Sequence, residues 1–478
     1  MRQRGIYFGI AVFALTVVWS LMTPLFSGPD EPSNFVRSAA VVRGEWVGDN
    51  VLPSQLKSYW TTTVNVDPQF GAANNIPWCF APFSDRPGCG SRLEETQVTD
   101  NPAWTNMGRY PIAPFFVSGV GTVFGATDLS VRMARLMTSL LCAVLITFAV
   151  GSLLRRGVSR VGLLIGLLPG TVFLASTMNP SAIEICAAIA LWAVCPSLDG
   201  GSLGRWDMIA FAGSGALLIL TRPIGPVLYA VVIVTSLALK REPLRITTII
   251  ARYKEIFVGH AITMLFALWW HIGIYDFQTA SEVFEGTSKI STRSQIDQAI
   301  HHIPILLEQA VGNFGWLDAP MPRVPLYIAY LLLATVIGRG VKLMHNRSRA
   351  VFSLMIFVIL LIAVMIDLNI YSMLGVFGAQ GRHIVPLLVG LPMIAATSFA
   401  WKRNWEVVTV GVWGLVMVWA GLGALRRYTV GINGDNAMDM FTDRAWNPVL
   451  GFWPTVLMLI LSTLAVVCLF PYSRPSAK

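Results

Sequence analysis

Apolar runs long enough to cross a lipid bilayer recur along the chain and restrict its fold more than any other feature. The runs are residues 6–26, 131–154, 161–178, 181–196, 207–221, 223–239, 255–273, 324–338, 349–366, 384–400, 406–424 and 449–471. Hydrophobic residues make up 54% of the 478 residues and charged residues only 13%, whereas an average soluble domain carries about 25% charged residues. We therefore predict an all-α polytopic membrane protein with about 12–13 transmembrane helices.

The run at residues 110–124, YPIAPFFVSGVGTVF, is short and contains proline and glycine. It spans, re-enters or lies at the interface, and the choice decides which side every later loop faces. If it does not cross, the basic loops RRGVSR, GRGVKLMHNRSR and WKR share the cytoplasmic side with the basic N-terminus, as the positive-inside rule requires. We therefore predict that it does not cross, and that the first run is a retained helix because it lacks a small-residue cleavage site.

This sidedness divides the chain into five regions. We predict a first transmembrane helix at 1–26, an extracytoplasmic loop with juxtamembrane helices at 27–130, transmembrane helices at 131–273, a second extracytoplasmic loop with an interfacial helix at 274–323, and C-terminal transmembrane helices at 324–478. The first loop is rich in aromatic residues and proline, which predicts a folded cap with interfacial helices rather than a disordered tail.

Two cysteines lie in that first loop, within PWCFAPFSDRPGCGS. The prolines and glycines between Cys79 and Cys89 let the chain close on itself, so an oxidising compartment would allow a disulfide between them. A pair of unpaired loop thiols is the alternative. The other four cysteines fall in apolar runs, as buried packing residues do.

Polar residues that interrupt the apolar pattern collect at the predicted outer face. They are Asp30 and Glu31 after the first run, Arg132 and Arg135 in the second, Asn179 between the third and fourth, Arg222 between the fifth and sixth, Trp316 and Asp318 in the second outer loop, and Gln380, Arg382 and His383 before the tenth. Chance would scatter such residues over both faces. We therefore predict one pocket there, in which Asn179, Trp316, Asp318 and Gln380 contact the substrate. For Asn179 and the Trp316–Asp318 segment, simple turn formation is the alternative.

A carboxylate at the membrane boundary suits a general base, because it is solvated enough to ionise yet lies against a low-dielectric wall. Both Asp30 and Glu31 are catalytic candidates. Adjacent helical residues point in different directions, so we assign the base to Asp30 and the role of cap, second ligand or support to Glu31. The alternative is that PDEP only ends the first helix and caps the next.

Arginines at this face match a phosphate group, whose oxygens accept paired hydrogen bonds from guanidinium groups. We expect Arg132, Arg135, Arg222 and Arg382, together with His383, to bind such a phosphate. For Arg132 and Arg135 the alternative is that their side chains extend to the lipid headgroups.

Other classes of function lack support in the sequence. It contains no GxxxxGK[ST] phosphate loop, HExxH or CxxC pattern, which leaves nucleotide hydrolysis and a motif-defined metal site unsupported. The net charge of +9 comes from short loops between apolar runs. That distribution is typical of membrane orientation, so we expect a lipid bilayer as partner and no nucleic acid.

Five motifs carry a resemblance to a known family: PLFSGPDEPSNFVRSA, ASTMNPSAIE, TRPIGP, FGWLD and GAQGRHIVP, in this order. From about residue 5 to about residue 400 the chain resembles the bacterial membrane family called domain of unknown function 2142 and, more distantly, the GT-C glycosyltransferases. It departs from the family at Ser33-Asn34, where a histidine is usual, at Ser181, where an aspartate is usual, and at His383, where a tyrosine is commoner.

The resemblance implies a GT-C-like, multi-pass enzyme of the bacterial plasma membrane with an extracytoplasmic active site. Such an enzyme takes a sugar from a polyprenyl-phosphate donor and gives it, with inversion, to an envelope glycan, glycolipid or protein. The acidic residue of the first outer loop is then the expected base, and it falls on Asp30. Arginines or a divalent cation, Mg²⁺ or Mn²⁺, would hold the charge of the leaving phosphate.

Other membrane functions fit the same number of spans. A transporter or flippase of lipid-linked glycans is expected to carry polar residues near the middle of several helices, or matched broken helices in its two halves. A glycan polymerase or ligase depends less on a carboxylate directly after the first helix. Because several residues depart from the family pattern, a non-catalytic scaffold is a further alternative.

Overall fold

Helices form most of the chain that the structure describes. The computed structural model describes residues 2–50, 61–99, 101–198, 203–240, 246–275, 290–432 and 438–472. Its α-helices are α1 (Arg2–Leu21), α2 (Glu31–Val42), α3 (Ala113–Gly119), α4 (Asp128–Arg155), α5 (Val161–Gly166), α6 (Pro169–Ala175), α7 (Pro180–Val194), α8 (Arg205–Thr221), α9 (Gly225–Ala238), α10 (Ile246–Arg252), α11 (Lys254–Gly273), α12 (Thr292–Gly312), α13 (Arg323–Leu343), α14 (Asn346–Leu374), α15 (Val385–Leu388), α16 (Gly390–Ala396), α17 (Arg403–Val430), α18 (Asp439–Thr442) and α19 (Phe452–Leu469). Its strands are β1 (Asp49–Asn50), β2 (Thr62–Val64), β3 (Ala103–Thr105), β4 (Asn313–Phe314) and β5 (Ala319–Pro320).

Eight helices within the described ranges are long and apolar enough to cross a bilayer: α1, α4, α7, α11, α13, α14, α17 and α19. Each coincides with a predicted run, and the predicted all-α polytopic class is confirmed. The run at 161–178 is divided between α5 and α6, because Pro169 lacks an amide hydrogen and holds Leu168 in an extended conformation, φ −65° and ψ 153°. The remaining runs form the shorter helices α8 and α9 and the pair α15 and α16.

The ambiguous run at 110–124 forms α3 and the 3₁₀ helix Val120–Phe124, of 7 and 5 residues. Together they are about 20 Å long, well short of the ~30 Å hydrocarbon core of a bilayer. They pack on α2 and α4 and leave Phe116, Val123 and Phe124 more than half exposed. A short helical segment with an exposed apolar face fits the membrane interface better than a span.

The described residues between α1 and α4, 22–50, 61–99 and 101–127, form a folded cap. In the described part of the cap, β2 lies between β1 and β3 and pairs antiparallel with both. Phe26, Phe35 and Phe70 stack in a hydrophobic core separate from that of the membrane helices, with ring centroids 5.6 and 5.4 Å apart. Of the aromatic residues from which a folded cap was predicted, Phe70 lies in this core, whereas Trp46, Trp78 and Phe83 are exposed.

Cys79 and Cys89 lie side by side in the cap and form a disulfide, with their Cα atoms 6.3 Å apart. The bridged loop docks on α17, where Arg427 donates hydrogen bonds to the carbonyl oxygens of Phe80 and Phe83 at 2.9 and 3.2 Å. The disulfide therefore closes the loop that joins the cap to the membrane helices.

We expect Cys79 and Cys89 to resist alkylation in intact cells until a reductant is added, because a disulfide offers no thiolate. A variant without the other four cysteines, labelled with a maleimide polymer before and after reduction, shows this as a gel shift. Cys79→Ser in that background is the control, because it leaves Cys89 unpaired and reactive. Labelling of both cysteines without reductant would contradict the pairing.

The two ends of the helical bundle differ in charge. The end of α1 meets the starts of α4 and α7 at one end, where Arg135 of α4 pairs with Glu31. The opposite end carries Arg155, the last residue of α4, which pairs with Asp207 of α8. The short basic loops also lie at this end. The polar motifs therefore gather at one end of the bundle, and the short basic loops at the other.

The segment between α11 and α13 contributes α12, whose apolar residues recur at helical spacing. α12 packs against α14 and against the 3₁₀ turn Gly381–His383, while Ile296, Ile300 and Ile305 remain exposed. One side of α12 therefore packs on the protein, and another side leaves isoleucines exposed. Exposed apolar residues on such a helix fit a position at the membrane interface.

Candidate active site

A cavity of about 740 Å³ opens at the polar end of the bundle, within the roughly 300–1,000 Å³ usual for ligand pockets. Polar and charged residues line one side: Asp30, Asn34, Asn106, Asn179, Ser181, Arg222, Gln380, Arg382 and His383. Apolar residues of α9 and α14 and of the turn before α9 line the other: Ile224, Val227, Leu361, Ile362, Met365 and Ile366. Leu361 and Met365 are 48% and 56% exposed on α14, so the apolar wall continues onto the surface of a membrane helix.

Asp30 stands on a strained turn at the start of α2. Its φ of 59° is left-handed, which costs a residue other than glycine about 1–2 kcal/mol and suits Asp and Asn best. Its side chain makes no capping hydrogen bond to α2. Instead, Oδ2 accepts a hydrogen bond from Nη2 of Arg382 at 2.6 Å, across 352 residues of sequence. The carboxylate therefore faces the cavity rather than its own helix.

A buried ion pair fixes this turn to the bundle. Glu31 accepts hydrogen bonds from Nε and Nη2 of Arg135, both at 2.7 Å, and neither side chain is exposed. The same carboxylate accepts from the backbone N–H groups of Gly28 and Met178 at 3.0 and 3.1 Å. Arg135 also donates to the carbonyl oxygen of Pro24 at 2.7 Å. Glu31 therefore supports the turn and does not line the cavity.

Two further side chains hold the same turn. Asn179 donates to the carbonyl oxygen of Pro29 at 3.0 Å, and its Oδ1 accepts from the backbone N–H of Ser181 at 2.9 Å. Trp316 donates from Nε1 to the carbonyl oxygen of Phe26 at 3.0 Å. Contacts from three separate parts of the chain thus hold the turn, which is how a strained residue persists at its tip.

Asp318 joins the segment between α12 and α13 to α17 and does not line the cavity. Its Oδ1 accepts from the backbone N–H of Trp316 at 2.8 Å, and its Oδ2 accepts from Nε of Arg427 at 2.9 Å. Because Arg427 also holds the disulfide loop of the cap, Asp318 and Arg427 connect three parts of the chain. The FGWLD motif therefore fixes the cap to the membrane helices.

Arg222 is held at the cavity by the start of α7. Its Nη1 donates to Oγ of Ser181 at 2.9 Å and lies 4.0 Å from Oε2 of Glu184. Glu184 is fully buried, and within the described residues neither of its carboxylate oxygens has a hydrogen-bond partner. The attraction between the two side chains draws the guanidinium group toward α7. Arg222 and Arg382 therefore both face the cavity from fixed positions.

His383 lines the cavity as a neutral imidazole. Burial, together with the positive charges of Arg222 and Arg382, holds the pKa of His383 well below its usual range. Its Nδ1 accepts a hydrogen bond from the backbone N–H of Gln380 at 3.2 Å, which leaves its proton on Nε2. His383 can therefore donate one hydrogen bond to a ligand but contributes no charge.

The segment that carries Arg382 is anchored by α12 and α14. Asp367 of α14 is fully buried and accepts from the backbone N–H of Ala379 at 2.8 Å and from Nδ1 of His302 at 2.7 Å. Gln309 of α12 accepts from the backbone N–H of Gly381 at 2.9 Å. These contacts position the segment beside the turn of α2.

A family model described as "Predicted membrane protein (DUF2142)" matches residues 13–391. This chain belongs to that family. The matched region includes every residue that lines the cavity, so the cavity is built from the part of the chain that defines the DUF2142 family.

Comparison with solved structures gives a distant likeness to ArnT from Cupriavidus metallidurans. The crystal structure of ArnT bound to undecaprenyl phosphate has a TM-score of 0.46 and 14% sequence identity, over 97% of this chain and 76% of ArnT. The apo structure has a TM-score of 0.44 and 14% identity, over 95% and 74%. No curated protein matches this DUF2142 chain.

The cavity of this DUF2142 protein brings together six of the residues that the sequence assigned to a site: Asp30, Asn179, Arg222, Gln380, Arg382 and His383. Five others do not line it: Glu31, Arg132, Arg135, Trp316 and Asp318. Arg135 donates to Glu31 and to backbone carbonyl groups, and Arg132 lies beside Asp128 at the start of α4. The expectation that Arg132 and Arg135 share a phosphate site with Arg222 is therefore corrected. Trp316 likewise donates to the carbonyl oxygen of Phe26, and Asp318 pairs with Arg427, so neither lines the cavity.

Two cavity features were missed at the sequence level. Asn34 lines the cavity one helical turn after Asp30, and residues four apart share a helix face. Glu184 is an acid inside an otherwise apolar run, and an ionisable residue in a membrane span is by default a functional candidate. Both signals were present in the sequence.

The residues around the cavity do not fit a divalent cation. Mg²⁺ and Mn²⁺ prefer several oxygen ligands, and Asp30 is the one carboxylate that lines the cavity in the described chain. Arg382 already holds that carboxylate. The described ranges also contain no cluster of three His, Cys, Asp or Glu side chains placed to bind a metal. Guanidinium groups are therefore the positive charges that this cavity offers to an anion.

Proposed function

We propose that this DUF2142 protein is an inverting glycosyltransferase that moves a sugar from a polyprenyl-phosphate donor to an envelope glycan, glycolipid or protein. One observation carries the proposal: a single cavity joins a carboxylate and two guanidinium groups to an apolar wall that continues onto a membrane helix. A donor made of lipid, phosphate and sugar needs these environments next to one another.

The phosphate of the donor binds between Arg222 and Arg382. Guanidinium groups donate paired, charge-assisted hydrogen bonds to phosphate oxygens, and His383 adds a neutral donor from Nε2. The polyprenyl tail follows the apolar wall past Val227 and Met365. The lipid therefore stays in the bilayer while its head group enters the cavity.

Asp30 is the general base, and donor binding activates it. Without donor, Arg382 pairs with Asp30 at 2.6 Å, so Oδ2 of the carboxylate already accepts a hydrogen bond from a guanidinium group. A phosphate competes for the same guanidinium group. When Arg382 turns to the phosphate, Oδ2 of Asp30 becomes free to accept the proton of the acceptor hydroxyl.

The chemical step needs no further group. The acceptor hydroxyl gives its proton to Asp30, its oxygen forms a bond to the anomeric carbon, and the bond from that carbon to the phosphate oxygen breaks. Polyprenyl phosphate leaves with the bonding electron pair, and Arg222 and Arg382 stabilise its added negative charge. Attack from the face opposite the leaving group inverts the anomeric carbon.

The cavity faces the extracytoplasmic side of the bacterial plasma membrane. Support comes from the basic residues at the helix ends on the opposite side of the bundle, Arg155, Lys342, Arg349 and Arg403, and from the short loops between them. Lys and Arg in short loops favour the cytoplasm. A polyprenyl-linked donor in the outer leaflet would thus meet envelope acceptors on that side.

A transfer assay with the purified full-length protein in lipid vesicles tests the proposal. A panel of radiolabelled polyprenyl-phosphate sugars is supplied together with envelope fractions as the source of acceptor. We expect one donor to be consumed and its label to enter the envelope material. If no donor is consumed while lipid-linked glycans cross the vesicle membrane, the protein is a transporter.

Arg222→Gln is expected to raise the donor concentration for half-maximal transfer at least tenfold. Hydrogen bonds to charged groups contribute about 1.5–3 kcal/mol, and about 1.4 kcal/mol is a factor of ten in affinity. Arg92→Gln is the matched control, because Arg92 lies on the exposed cap and pairs with Glu95. An unchanged donor dependence in Arg222→Gln would contradict its role at the phosphate.

A further inference from the structure

Asn34 is a buried amide without a hydrogen-bond partner. It lies on α2, one turn after Asp30, and its side chain is only 2% exposed. Within the described residues neither Nδ2 nor Oδ1 makes a hydrogen bond, yet the residue lines the cavity. Buried polar groups in folded proteins are nearly always paired, so this amide needs an explanation.

A second asparagine in the same cavity shows what a structural amide looks like here. Asn179 uses both its amide atoms, one on the carbonyl oxygen of Pro29 and the other on the backbone N–H of Ser181. Asn34 has no such role, and a leucine of similar volume would avoid the cost of burying unpaired polar atoms. The unpaired amide therefore points to a ligand that completes its hydrogen bonds.

The residues that follow β3 and line the cavity near Asn34 are uncharged. The end of β3 packs on the residue before it, since Thr105 donates from Oγ1 to the carbonyl oxygen of Ser33 at 2.7 Å. Asn106, Met107 and Tyr110 follow β3 and line the same cavity. The charged residues of the described lining are Asp30, Arg222 and Arg382. Asp30 and Arg382 pair with each other, and Arg222 lies beside Glu184 of α7. Arg222 and Arg382 are engaged by the phosphate and Asp30 acts as the base, so the residues after β3 offer no charge to a substituent of the sugar.

A carboxamide matches a particular chemistry. It offers two donor hydrogens and one acceptor oxygen side by side, and neighbouring hydroxyl groups of a sugar each donate and accept. The backbone N–H of Asn34 donates to the carbonyl oxygen of Asp30 at 2.9 Å, and both residues line the cavity, so hydroxyls bound to Asn34 would place the sugar ring near Asp30.

We propose that Asn34 recognises the head group of the donor and selects a neutral sugar with free neighbouring hydroxyl groups. The inference rests on the proposed function, because it assigns a sugar to the cavity that binds the polyprenyl phosphate. In this arrangement Arg222 and Arg382 hold the phosphate, the apolar wall holds the lipid, and Asn34 with the uncharged end of β3 holds the sugar.

Equilibrium binding to the full-length protein in nanodiscs tests this without requiring turnover. The probes are polyprenyl phosphate alone, its ester with a neutral hexose, its ester with a uronic acid and its ester with an amino sugar. We expect the wild-type protein to bind the neutral hexose ester about tenfold or more tightly than polyprenyl phosphate alone, and to bind the two charged esters less tightly. Asn34→Leu removes the gain from the hexose and leaves the affinity for polyprenyl phosphate unchanged.

Asn404→Leu is the matched control, because Asn404 lies exposed at the start of α17. It is expected to bind every probe as the wild-type protein does. Thermal unfolding separates a ligand-binding amide from a structural one, since removing an unpaired buried amide leaves the midpoint of Asn34→Leu unchanged or raises it. A lowered midpoint would assign Asn34 to the fold and overturn the inference.

The possible failures are distinguishable. If no probe binds, the proposed donor is wrong and the inference falls with it. If polyprenyl phosphate binds but the hexose adds no affinity, or Asn34→Leu keeps the gain, only the sugar site is wrong. If a charged ester binds as tightly as the neutral one, the selection of a neutral sugar is wrong.

Discussion

Replacing Asp30 by asparagine is expected to lower the rate of sugar transfer by a factor of about 10² to 10⁴, the usual contribution of a general base. The carboxamide has the shape of the carboxylate but cannot accept the proton of the acceptor hydroxyl. Asparagine also tolerates the left-handed backbone of this residue, φ 59°. The variant should therefore fold normally and lose the chemical step.

Donor binding should respond differently from the rate. In the wild-type protein the donor phosphate has to displace Arg382 from Asp30, which it contacts at 2.6 Å. Asp30→Asn removes the charge that competes for this guanidinium group. We therefore expect the donor to bind as tightly as before or more tightly, so that kcat falls while the donor KM does not rise.

Initial rates over a range of donor concentrations measure both quantities. Asp297→Asn is the matched control, because Asp297 is 70% exposed on α12 and does not line the cavity. Transfer by Asp30→Asn at the rate of the control would remove Asp30 as the base. A raised KM with an unchanged kcat would instead assign Asp30 to donor binding.

The sequence predicted where the polar residues meet because sidedness is a strong constraint on a membrane chain. Basic loops and a short run at 110–124 were enough to place Asp30 and Arg382 at the same end of the bundle. The structure brings these two residues into contact across 352 positions. Membrane topology thus restricts long-range contacts even when the helices cannot be arranged from the sequence.

The sequence could not separate residues that line the cavity from residues that build it. Arg135 and Arg222 both lie near the same membrane boundary in motifs of similar character. The direction of each side chain depends on which helix packs beside it, and that is a tertiary property. Arg135 meets Glu31 between α1 and α4, whereas Arg222 follows α8 and reaches the start of α7.

The broken helices show a second limit of the sequence. An apolar run indicates burial or contact with lipid, but the hydropathy of 161–178 does not show that Pro169 divides it into α5 and α6. Such breaks are tolerated in a membrane protein where neighbouring helices cover the freed backbone groups. The residues of α5 and α6 are all buried, as this condition requires.

Glu31→Gln is expected to lower the free energy of unfolding by about 3–5 kcal/mol, the largest effect on stability that we predict. The change leaves Arg135 charged and fully buried without its partner. Arg135 keeps its hydrogen bonds to the carbonyl oxygens of Ser20 and Pro24, but carbonyl groups do not neutralise a charge. The penalty therefore comes from the uncompensated guanidinium group.

Unfolding can be followed through the protein's own cysteines. Cys142, Cys186 and Cys195 are buried. A thiol-reactive dye therefore labels them only as the protein unfolds in increasing concentrations of a denaturing detergent. Glu95→Gln is the matched control, because the Arg92–Glu95 pair has a 3.1 Å contact but side chains that are 58% and 67% exposed. Such surface pairs contribute about 0–1 kcal/mol. Equal losses in Glu31→Gln and Glu95→Gln would contradict a structural role for the buried pair.

The double variant Glu31→Leu with Arg135→Met separates the stability of the fold from the geometry of the site. Replacing both members of a buried ion pair by apolar residues of similar volume is often neutral or stabilising, so most of the lost stability should return. The hydrogen bonds from the backbone of Gly28 and Met178 to Glu31 do not return. Because these bonds hold the turn that presents Asp30, the double variant is expected to remain folded and still transfer sugar poorly. Full recovery of transfer would show that the turn keeps its shape without the ion pair.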